Sequence, residues 1–127
     1  MNKVSITHIN NSHGDWLRSL DFYKQELGVL KGRLTEVAGK NTGADVMKQV
    51  EHYENQFTVQ VNNIDSLAHE IKTNITSIGK EAHASSAGYV DSSLLAHHNT
   101  LGQRFDTEEK TVSELRHSFM TFASEWM

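Results

Sequence analysis

The sequence predicts an all-α fold: an up-down-up antiparallel three-helix bundle with long helices at about 13–39, 43–84 and 89–126. Three observations carry this reading. The 127 residues include no proline, so no helix interior loses an N–H to a ring nitrogen. Apolar residues recur in three long stripes at alternating spacings of four and three, the seam of a coiled coil. Short stretches rich in glycine and small polar residues separate the stripes, and such short connections join sequential helices as antiparallel neighbours.

The first stripe is Trp16, Leu20, Tyr23, Leu27, Leu30, Leu34 and Val37. Ahead of it, Ser12-x-x-Asp15 reads as a capping box with an acid at the positive helix end. Residues 1–12 therefore read as an extended N-terminal segment. Gly39 and the GKNTG stretch at 39–43 end the helix. Gly28 and Gly32 lie inside it, each weakening it slightly while leaving room for a close neighbour.

Thr42-x-x-Asp45 reads as a second capping box. The stripe that follows is Val46, Val50, Tyr53, Phe57, Gln60, Ile64, Leu67, Ile71, Asn74 and Ile78, with polar residues at Gln60 and Asn74. This helix is expected to reach about Ala84, with the ASSAGY turn at 84–89 after it. The third stripe is Leu94, His98, Leu101, Phe105, Glu108, Val112, Leu115, Phe119, Phe122 and Trp126. Gly102 and the DTEE run at 106–109 are candidate breaks, and a four-helix bundle with a break near 102–107 is the alternative architecture. The heptad phase passes through both unbroken, which favours one helix.

The length suits a single domain over residues 1–127. Net charge is −4 and no basic block is present, which argues against a nucleic-acid partner. No apolar run approaches transmembrane length and the first residues carry no apolar signal core, so no membrane association and a cytoplasmic location are expected. There is no cysteine, which excludes disulfides, thiolate metal sites and cysteine nucleophiles within these residues. No phosphate loop or nucleophile elbow appears, so the expectation is a protein without enzymatic activity or cofactor.

The unequal predicted lengths imply a partner. The first helix, at about 27 residues, would stop roughly 20 Å short of the end of the helix 2/helix 3 hairpin. Ile71, Ile75, Ile78, Leu94, Leu95 and Leu101 would then form an uncovered apolar face, the expected interface of a homodimer. The N-terminal segment at 3–9, folding back, is the other candidate cover.

The chain is histidine-rich, with eight. Glu114-x-x-His117 has the spacing of a dimetal helical site, but such sites need two copies projecting inward. Here the single copy falls at heptad positions c and f and faces out, as do His52, His69 and His83; His97 is on the flank. Asn74, His98 and Glu108 lie on the stripes, and His13 sits one step ahead of the first. Antiparallel geometry sets Asn74 near the level of His98, a buried polar layer of the kind that fixes register. The sharper reading is a transition-metal ion held by His13, His98 and Glu108. The sequence thus favours a self-associating interaction or scaffold module, with a non-heme metal-binding bundle using His and Glu as the alternative.

Overall fold

A computed structural model describes residues 6–84 and 92–126, with side chains at 8–80 and 93–126. Three helices pack against one another: α1 (Ile6–Lys40), α2 (Ala44–Ala84) and α3 (Ser92–Trp126). Their directions follow from the contacts that clasp them. On α1 and α2, His13 meets Asn74 and Lys24 meets Asp65, so numbering runs in opposite senses. Tyr53 with Ser118 and Glu70 with Arg104 show the same for α2 and α3. His13 with His98, Tyr23 with Glu109 and Glu26 with Arg116 show α1 and α3 parallel. The order is up-down-up.

The predicted stripes are the core. All ten members of the α2 stripe are buried, including Gln60 and Asn74. From α1 come Leu20, Leu27, Leu30, Leu34 and Val37, and from α3 Leu101, Phe105, Val112, Phe119 and Phe122. One end of the core is aromatic: Tyr53, Phe57, Phe119 and Phe122 pack with ring centroids 5.0–6.2 Å apart. The Tyr53 hydroxyl meets Ser118 Oγ at 2.7 Å, so its polar tip is satisfied there.

Several boundaries differ from expectation. Residues 6–12, expected to be extended, are helical, and α1 begins at Ile6. Ser12 does not cap the helix; its hydroxyl donates to the His8 carbonyl at 3.2 Å, a back-bond available only to a residue already inside a helix. The heptad spacing continues upstream from Trp16 through His13 to Ile9, both fully buried. The polar member at His13 hides that continuation. At the start of α2 the Gly43 carbonyl accepts from Met47 N at 3.0 Å, so Gly43 rather than Thr42 is the N-cap.

The extra turns of α1 change the hairpin. Ile9 packs with Ile78, Leu94 and Leu95 in a small second core. Ile71, Ile78 and Leu101 are fully buried within the chain itself. The chain itself thus covers these three, where the sequence left them open, with Ile9 of α1 packed on Ile78. Ile75, Leu94 and Leu95 are half-buried. The α3 helix is continuous through 102–107, in place of the four-helix break. The predicted turn at 84–89, apart from Ala84 itself, and the side chain of His83 lie outside the described residues.

The other end of the bundle is tied by Asn41. Its amide donates to the Val37 carbonyl at 2.9 Å and the Trp126 carbonyl at 3.0 Å, joining the last turns of α1 and α3.

Candidate functional site

Each helix sends one polar side chain into a common layer: His13 from α1, Asn74 from α2 and His98 from α3. All three are buried. Asn74 Nδ2 lies 3.2 Å from His13 Nε2, and His98 Nδ1 lies 3.3 Å from the same nitrogen. Trp16, one turn along from His13, closes one side. Its indole stacks on the His98 ring at 4.9 Å and meets His13 edge-on at 5.4 Å.

Burial sets the protonation. The His13 imidazole is held down to about 4 by burial, then by the neighbouring charges of His98 and His97. His98 is also lowered, by burial and then by His8. Both rings are neutral at pH 7, each with one donor and one acceptor nitrogen. If His13 accepts at Nε2, its proton sits on Nδ1. That buried nitrogen has no partner, and neither has the buried Asn74 Oδ1. Two polar atoms are thus desolvated without compensation, each at a cost of about 1–3 kcal/mol.

Glu108 is not part of this layer. It lies ten residues beyond His98 on α3, about 15 Å along the helix axis. Its buried carboxylate faces Gln60, whose amide nitrogen, turned toward it, donates to Oε2 at 2.6 Å and Oε1 at 3.2 Å. Burial pushes the Glu108 carboxyl up from its ordinary value. So His13 and His98 come together as expected, while the third member of the predicted trio stands apart. Among the described residues no three His, Cys, Asp or Glu side chains converge. Asn74 was expected near His98, and the link between them is His13.

Glu114 and His117 are exposed, as their heptad positions required. They line a groove of about 830 Å³ between the parallel helices α1 and α3, with Val29, Leu30 and Met120 among its apolar walls. Val29 is 64% and Met120 42% exposed, large values for apolar side chains. Glu26, Arg33 and Arg116 complete the charged rim. Heptad reasoning located the core but left this groove unremarked; the outward apolar residues Val29 and Met120 were its signal.

No family model, curated protein or solved structure matches the chain. Among the described residues no helix is long and apolar enough to cross a membrane.

Proposed function

We propose that this chain is a helical interaction module that self-associates through the groove between α1 and α3. The observation that carries the reading is the exposed apolar wall of Val29 and Met120, set between charges of both signs. Glu26 and Arg116 pair within the chain, and the remaining rim charges, Glu114 and Arg33, can complement each other when a second copy docks about a two-fold axis. The face lies on the opposite end of α1 from the hairpin, because α1 itself covers the hairpin core.

Sedimentation velocity across a concentration series tests the reading. A concentration-dependent dimer is expected, with Val29→Glu/Met120→Glu monomeric and still helical. A wild-type chain that stays monomeric at the highest concentration removes self-association. A dimer unaffected by the double substitution moves the interface elsewhere.

A further inference from the structure

The buried His13–Asn74–His98 layer is over-supplied with lone pairs and under-supplied with partners. Two groups point at one nitrogen, His13 Nε2, while Asn74 Oδ1 has no donor. Rotating the Asn74 amide by a half-turn exchanges its oxygen and nitrogen. The oxygen then stands about 3.2 Å from His13 Nε2, where the nitrogen stood. Three electron-pair donors result, one from each helix. Two of their separations are close to the edge of a small coordination tetrahedron. With bonds of 2.0–2.1 Å, as for zinc with imidazole, that edge is about 3.3–3.4 Å.

We propose that His13 Nε2, His98 Nδ1 and the Asn74 amide oxygen form a three-ligand site for a first-row transition-metal cation of the Zn2+ class, with a fourth position for water. This set differs from the one the sequence suggested: Asn74 replaces Glu108. The donors are neutral and nitrogen-rich, which suits Zn2+ and its neighbours and disfavours Ca2+ and Mg2+, which require several oxygens. The rings are held in place before any ion arrives. Trp16 stacks on His98, and Gly102 lets α3 approach Trp16 so closely that a Cβ there would lie 3.2 Å from the indole. An ion bound here would join all three helices, so its binding energy would add to folding energy. The site is remote from the α1/α3 groove, and its success or failure is independent of self-association.

The test is titration of the full chain, stripped by chelator, with Co2+ at pH 7.5 in a Trp126→Phe background that leaves Trp16 as the fluorophore. The expected result is a saturable 1:1 complex with visible absorption of a low-coordinate Co2+ centre, quenching of Trp16, and displacement by Zn2+. His13→Gln and His98→Gln should each weaken binding by about tenfold or more, while His52→Ala and His117→Ala leave it unchanged. Absence of saturable binding, or binding unchanged in folded His13→Gln and His98→Gln, overturns the site. Asn74→Asp decides the matter if those variants do not fold. A ligating carboxylate should tighten Co2+ binding and give the variant a thermal midpoint that rises on adding Zn2+. A midpoint that does not respond to Zn2+ overturns the proposal.

Discussion

The indole of Trp16 lies almost flat on the imidazole of His98, with ring centroids 4.9 Å apart and planes 22° from parallel. Phe105 stacks on the same indole at 5.9 Å, so the ring is held by two residues of α3 about two turns apart. Between their levels on α3 lies Gly102. A methyl group there would sit 3.2 and 3.3 Å from Trp16 Cζ2 and Cη2. The glycine thus marks close packing against α1, with no break in α3.

The glycines of this chain should respond to alanine with opposite signs. At Gly28 and Gly32 an added Cβ meets no side chain or neighbouring helix. Each Gly→Ala change there is expected to stabilise by roughly 0.5–1 kcal/mol, the ordinary helix-propensity gain. Gly102→Ala has the same propensity gain but crowds the Trp16 indole, which is stacked on His98 and Phe105, at a cost of about 1–3 kcal/mol. A net loss of about 1 kcal/mol is expected there, with a shift in Trp16 emission. Urea unfolding of the three variants checks this. A stabilised Gly102→Ala protein would show that the indole yields.

Acid should weaken the fold through His13. Its folded value is about 4 against an ordinary value of 6.5, so the unfolded chain binds the proton more readily between those limits. The stabilising difference is fully present above pH 6.5 and is lost as pH falls toward 4. Between pH 6.5 and 5, above most carboxylate titration, the loss from His13 is about 2 kcal/mol. His98 is lowered by the same cause and acts with the same sign. Urea midpoints at pH 5 and pH 7 measure the effect, and His13→Leu should remove its share. Equal midpoints in the wild-type chain would mean that His13 accepts a proton while folded.

Heptad spacing made the bundle legible because each stripe member has one physical job, to leave water. The α2 stripe was readable to its last buried member, Ile78, for that reason. The start of α1 was not, because Ser12-x-x-Asp15 imitates a cap and His13 interrupts the apolar pattern that runs back to Ile9. Which polar side chains meet was partly legible: antiparallel levels placed Asn74 near His98, but the trio with Glu108 ignored a separation of ten residues on one helix. Glu108 instead meets Gln60 of α2. The role of Gly102 was hidden, since a glycine in a helix reads alike whether it breaks, weakens or makes room.

Glu108 should have the opposite pH sign to His13. Its folded carboxyl holds a proton above the usual carboxylate range because the charged form is desolvated. Its contribution is therefore fully present below the unfolded value and is lost as pH rises through the folded one. Glu108→Gln keeps an acceptor for the Gln60 amide and removes the charge. Relative to wild type, this variant is expected to gain stability as pH rises from about 4.5 and then level off. A difference that stays constant with pH would show that Glu108 ionises in the fold without penalty.

The first turns of α1 give the clearest division between the helical start and an extended one. Ile9 is fully buried against Ile78, with Leu94 and Leu95 packed alongside. Ile9→Ala should therefore cost about 2–5 kcal/mol, the range for a large buried aliphatic side chain. An extended segment laid loosely over the hairpin would lose much less, since it could shift to fill the gap. Ile75→Ala, on the same hairpin but half-buried, should cost less than Ile9→Ala. Amide exchange adds a second readout, because helical hydrogen bonds should protect residues 10–14 in wild type and lose protection first in Ile9→Ala. Unprotected amides there, with a small Ile9→Ala effect, would return residues 6–12 to the extended reading and leave the hairpin core needing another cover.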